Sequence, residues 1–127
     1  SGYPGRSFSL GIAEAVTVLA PTAAMADAAA TVIANAIDLP GHPAVERRPA
    51  NSIQSDTDLG ERLVTRDVGP LAKDEIEPAL AAGLAEAESL RAAGLIVSAA
   101  MHLQGVSRTL ASPMIVQEKP ERRLARA

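Results

Sequence analysis

The sequence predicts an α+β fold, a mainly antiparallel sheet with two long helices packed on one face. Three observations carry that expectation. A β-branched stretch at residues 15–20 runs directly into residues 23–36, an alanine-rich segment free of helix breakers. Further on, Ile76, Leu80, Leu84, Ala87 and Leu90 recur at helical spacing. Two apolar runs, residues 95–103 and 106–110, then flank Gly105 as a hairpin.

Taken in order, the chain opens with three glycines, one proline and three serines in residues 1–11. Arg6, Ser7 and Ser9 alternate with Phe8 and Leu10, which predicts a short strand over residues 7–12. Backbone amides near Gly2 and Gly5, together with Arg6, can receive an anionic group such as a phosphate. The same residues also read as an ordinary glycine-rich turn, since no established phosphate-loop spacing is present.

In the next strand Val16, Val18 and Ala20 share one face, with Thr17 and Leu19 on the other. Pro21 ends it, and Thr22 is placed to cap the first helix. Met25, Ala28, Ala29, Val32, Ile33 and Ala36 cover most of that helix, and Asp27, Thr31 and Asn35 form one polar stripe at i, i+4 and i+8. A carboxylate and a hydroxyl one turn apart suit a hard cation, which takes oxygen ligands. The alternative is a thin solvated face.

Residues 38–55 read as a loop punctuated by Pro40, Gly41, Pro43 and Pro49, with His42 as a surface histidine. Asp56, Asp58 and Glu61 lack the rest of a calcium loop, so Asp56 or Asp58 is expected to cap a short helical turn. Residues 63–68 predict a strand closed by Gly69-Pro70. Asp74 is expected to cap the second helix with Glu77 reaching back, Pro78 lies in its opening turn, and Gly94 ends it. His102 is expected to point to solvent. The chain from Ser112 onward predicts a solvated tail.

The composition excludes several function classes. One domain fits 127 residues, and its core must be aliphatic, because apolar residues make up 47% and aromatics 2%. A net charge of −3 gives no general attraction to nucleic acid. Without cysteine there is no disulfide framework, thiol catalysis or cysteine-ligated zinc, which suits a cytoplasmic protein. No apolar run is long enough to cross a bilayer, so no membrane partner is expected.

Ala26-Asp27-Ala28-Ala29-Ala30-Thr31, preceded by Val16-Thr17-Val18 and Ala20-Pro21-Thr22-Ala23, resembles the C-terminal signature of the ApbE family. Its best-known members are magnesium-dependent transferases that move FMN from FAD onto a threonine of a target protein. The resemblance implies that Asp27 and Thr31 bind the metal. It is closer still to an uncharacterised family of ApbE relatives, in which a stretch like residues 1–13 precedes the same strand and helix. It implies magnesium and FAD as cofactors and a flavin or nucleotide as ligand, with Arg6, Ser7 and Ser9 as candidate cofactor-binding residues. Residues 1–111 would form an ApbE-like, T-fold-like C-terminal half domain, packed on its own N-terminal half or on further copies, and residues 112–127 its tail. The histidine-rich segment and Asp-Pro-x-Thr-Gly motif of the transferases are replaced by Arg6-Ser7-Phe8-Ser9-Leu10-Gly11, so target flavinylation is not expected. The reading from a different class is a non-catalytic structural or assembly half, whose alanine-rich helix packs on a partner.

Overall fold

The computed structural model describes residues 10–110. Arg6, Ser7, Ser9 and the 112–127 tail therefore lie outside the described residues. Within them the fold is α+β and antiparallel, as the sequence predicts: β1 (Ala15–Leu19), α1 (Ala23–Ala36), β2 (Val45–Pro49), β3 (Leu63–Val68), α2 (Lys73–Ala92), β4 (Ser98–Leu103) and β5 (Val106–Leu110). The strands divide into two sheets rather than one. Strands β1, β4 and β5 form the first in that order, and β2 and β3 form a separate ribbon.

Local chemistry sets most boundaries. Thr22 keeps an extended backbone and accepts the Met25 N–H at 3.1 Å, which starts α1 where the sequence places it. The second helix starts differently. Ala72 occupies the cap position and has no side-chain acceptor, so Glu75 alone works there, accepting the Ala72 N–H at 2.8 Å. Asp74 lies inside the first turn and Glu77 pairs with Arg108 instead of reaching back. At the other end the Leu95 N–H reaches the Leu90 carbonyl at 3.0 Å and the Gly94 N–H reaches Arg91 at 2.9 Å. With Gly94 at φ 79°, this is a Schellman ending, and it sets Leu95 beside Leu90.

Other expectations shift by a few residues. Residues 10–12 bend and pair with no strand, so the strand expected over 7–12 is absent where the chain is described. Strand β4 begins only at Ser98, because residues 93–97 are spent on the helix ending and on a Val97 N–H bond to the Leu19 carbonyl at 2.8 Å. Residues 53–62 form turns in which Thr57, rather than Asp56 or Asp58, accepts a backbone N–H, from Leu59 at 3.3 Å. Part of the expected loop at 38–55 is strand β2.

Both helices cover the sheet face that carries Val16, Ala99, Met101 and Leu103. Ile12, Ile33, Ile37, Leu80, Met101 and Leu103 are fully buried there, each contributing about 1.5–3 kcal/mol by leaving water. The helices approach closely where Ile37 lies over Gly83, since a Cβ on Gly83 would fall 2.3 Å from Ile37 Cγ1.

Residues 10–12 thread between α1 and the ribbon, and four of the backbone polar groups there bond to protein partners. The Leu10 N–H donates to Asn35 Oδ1 at 3.2 Å and the Ile12 N–H to the Ile37 carbonyl at 2.8 Å. The Leu10 carbonyl accepts from Arg47 Nη1 at 2.9 Å, and the Gly11 carbonyl accepts from Thr65 Oγ1 at 2.6 Å. Arg47 also pairs with Asp38, and both side chains are largely buried.

Two substitutions test this threading. Gly11→Ala places a Cβ 2.1 Å from the Ala34 carbonyl oxygen and 2.7 Å from that of Ile37, both backbone atoms. It is expected to lower unfolding stability by at least about 1–3 kcal/mol in urea titration. Arg47→Ala leaves the Asp38 carboxylate with the Leu39 N–H but no charge partner and strips the Leu10 carbonyl of its donor, and is expected to cost about 3 kcal/mol in the same assay.

Candidate functional site

The outward surface of α1 is the first place where side chains remain uncommitted. Its three stripe residues separate by role. Asn35 turns inward to hold Leu10. Thr31 donates its hydroxyl to the Asp27 backbone carbonyl at 3.1 Å, a local bond within the helix. The Asp27 carboxylate is exposed and without a partner among the described residues. The structure thus brings Asp27 and Thr31 onto one exposed turn. No group of three or more acidic, histidine or cysteine side chains able to hold a metal stands among the described residues.

Beside this stripe lies an apolar groove of about 250 Å³, lined by Met25, Ala28, Ala29, Val32, Leu90 and Leu95. Val32 and Leu95 are 45% and 43% exposed, which is unusual for side chains of their size packed side by side. The groove follows from two local causes. Alanines at 28 and 29 keep the helix surface low, and the Schellman ending of α2 swings Leu95 up against Leu90. Sequence periodicity assigns Val32 to the buried side of α1. The signal for the groove was the helix-ending glycine, whose companion leucine follows it directly.

On the β2–β3 ribbon a second concavity of about 470 Å³ is lined by Glu46, Arg48, Ser52, Ile53, Arg66 and Asp67. It is polar where the α1 groove is apolar. Sequence reasoning passed over Glu46 and Arg48 because β2 lies in a proline-punctuated stretch, and over Arg66 and Asp67 because the register shift that pairs β3 with it does not show in the sequence.

The two histidines each have one side-chain partner. His42 is largely buried, its Nδ1 accepts the Ala44 N–H at 3.0 Å, and its Nε2 bonds to Glu75. It fastens the loop to the start of α2. His102 Nδ1 lies 2.6 Å from Ser107 Oγ, opposite it in the β4–β5 register on the face turned away from the helices. No carboxylate bonds to this pair among the described residues.

The Glu75 carboxyl is held below the ordinary glutamate range, first by its bond to His42 and then by the Ala72 N–H. A depressed folded-state value stabilises the fold above the unfolded value, about 4.3, and that contribution is lost as pH falls through the lower folded value. Wild type and Glu75→Gln are therefore expected to differ most in melting temperature above about pH 5 and to converge at lower pH. Thermal denaturation from pH 3 to pH 7 measures this.

A family described as AbpE bacteria has a model that matches residues 1–109. No curated protein and no solved structure matches the chain. The matching family is AbpE bacteria and not an ApbE family of FMN transferases, so the assignment drawn from residues 26–31 is overturned. The motif behind it is a short alanine-rich run with one aspartate and one threonine. As geometry it is an exposed helical turn.

Proposed function

The chain belongs to the AbpE bacteria family, and for it we propose a non-catalytic assembly role, in which α1 packs against α1 of a second copy. The observation that carries this reading is the apolar groove on a helix whose one charged residue is Asp27. A helix facing water across its whole outer side ordinarily carries several charges there. The outer side of α1 instead presents Ala24, Ala28, Thr31 and Val32 around that single carboxylate.

A second copy suits this surface better than an unlike partner, because the surface complements itself. In an antiparallel, two-fold arrangement centred near the middle of α1, Val32 of one copy meets the Met25 end of the other groove. Asp27 then lies beside the other copy's Thr31, whose hydroxyl would exchange its bond to the carbonyl one turn back for a carboxylate that has no partner among the described residues. Alanines at 24 and 28 let the helix axes approach closely. With one acidic residue on each helix, offset from the axis, like charges are not forced together. A cytoplasmic setting belongs to the same reading and rests on the cysteine-free sequence. Among the described residues no helix is long and apolar enough to cross a membrane.

Sedimentation velocity over a concentration series should show a monomer–dimer equilibrium for the 127-residue chain. Val32→Glu should be monomeric throughout while melting within a few degrees of wild type, because residue 32 is already half in water. A wild-type chain that stays monomeric, or a Val32→Glu variant that dimerises equally well, sinks the proposal. The competing outcome is a divalent cation at Asp27 and Thr31. Magnesium would then shift amide resonances around both residues in wild type and not in Asp27→Asn, with no change in mass.

A further inference from the structure

We propose that the concavity on the β2–β3 ribbon binds a small oxyanion that also carries hydroxyls, of the sugar-phosphate class, with Arg48 and Arg66 on the phosphate. The register of the ribbon shifts between Glu46 and Arg47: Glu46 stands opposite Asp67, and Arg47 opposite Thr65. Arg66 is the residue left over, extruded as a β-bulge. Arg66 and Asp67 are consecutive yet both exposed, and both line the concavity with Glu46 and Arg48.

The two guanidinium groups have donors to spare. Arg66 makes no ion pair among the described residues, and Arg48 uses its Nε on Glu46 at 3.1 Å, which leaves its terminal nitrogens available. A guanidinium fork matches two oxygens of a phosphate, and two forks on one concavity match a tetrahedral group with several. At about 470 Å³ the space is large for bare phosphate and falls in the ordinary range for small-molecule sites.

The acids define the rest of the ligand. Glu46 and Asp67 face one another directly, an unfavourable pairing of like charges in a bare sheet. Each is partly occupied, Glu46 by Arg48 and Asp67 by the Val68 N–H at 3.0 Å. Their remaining oxygens accept from hydroxyl donors. Ser52 already donates to the Pro49 carbonyl at 2.6 Å, so its oxygen also presents lone pairs. Ile53, 38% exposed, supplies an apolar floor for a carbon skeleton. The four charged groups sum to zero, so selectivity comes from directed hydrogen bonds rather than from a long-range field.

The test is a nitrogen-15 NMR titration of the 127-residue chain with glucose 6-phosphate, inorganic phosphate and glucose in separate arms. Glucose 6-phosphate should give saturable shifts at Arg48, Ser52, Arg66 and Asp67. Inorganic phosphate should bind about tenfold more weakly and glucose should give no saturable shift. Arg66→Gln should weaken glucose 6-phosphate about tenfold at an unchanged melting temperature. Absence of saturable shifts at these residues overturns the site, as does undiminished binding by Arg66→Gln. Equal affinity for phosphate and glucose 6-phosphate overturns the role given to the carboxylates.

Discussion

The fold depends on how residues 10–12 cross the interior. A peptide segment buried without a strand partner must satisfy each polar group some other way, or lose roughly 1–3 kcal/mol for each one left unpaired. Here the partners come from three elements: Asn35 and Ile37 at the end of α1, Arg47 on β2 and Thr65 on β3. The segment therefore ties the ribbon to the helix-covered sheet, beside the packing of Val68 in the main core. Only glycine fits at its centre, because the Ala34 and Ile37 carbonyls occupy the space of any Cβ. Hydrogen bonding and sterics demand the same path.

That crossing also decides what α1 shows to solvent. Asn35 is drawn inward by the Leu10 N–H, so the polar stripe loses its last member and only Asp27 and Thr31 stay outside. Ile33, Ala34 and Ile37 are fixed inward by the same packing, which turns Val32 outward onto the groove. The apolar content of the helix exceeds what one domain face can cover, and the excess appears as a groove.

Elements defined by their own side chains were legible in the sequence: Thr22 announces α1, the leucine spacing announces α2, and Gly105 announces the β4–β5 hairpin. Strand β2 was not legible, because its inward residue at the crossing is Arg47. An arginine that faces inward to bond a carbonyl and Asp38 breaks the alternation that reveals strands. The cap of α2 was misplaced because Asp74 is the stronger capping residue, yet the preceding loop is held two residues earlier, where Gln104 accepts the Leu71 N–H at 2.8 Å and donates to the Gly69 carbonyl at 2.8 Å. The groove and the ribbon concavity were not read from the sequence. Both arise from backbone irregularities: the groove from a helix ending whose glycine shows in the sequence while the side chains facing Leu95 do not, and the concavity from a bulge that long-range contacts select.

The bulge itself follows from the crossing. Thr65 must face residue 11 to bond its carbonyl, and Val68, only 9% exposed, must face the main core. They are three residues apart. A regular strand turns every second residue to the same side, so an odd spacing cannot put both inward. One extra residue between them resolves the conflict, and the register assigns that place to Arg66. Inserting it rotates Arg66 and Asp67 together to the opposite face, beside Glu46 and Arg48. At the far end of the ribbon Ala50 and Val64 are buried outside the main core, with Ser52 and Ile53 following in the adjoining turn. The arginine-lined concavity is thus the outer consequence of the inner hydrogen bond from Thr65 to Gly11. Deleting Arg66 would restore a regular strand and remove the concavity while leaving Thr65 and Val68 facing inward, which separates the structural need for the bulge from the chemistry it exposes.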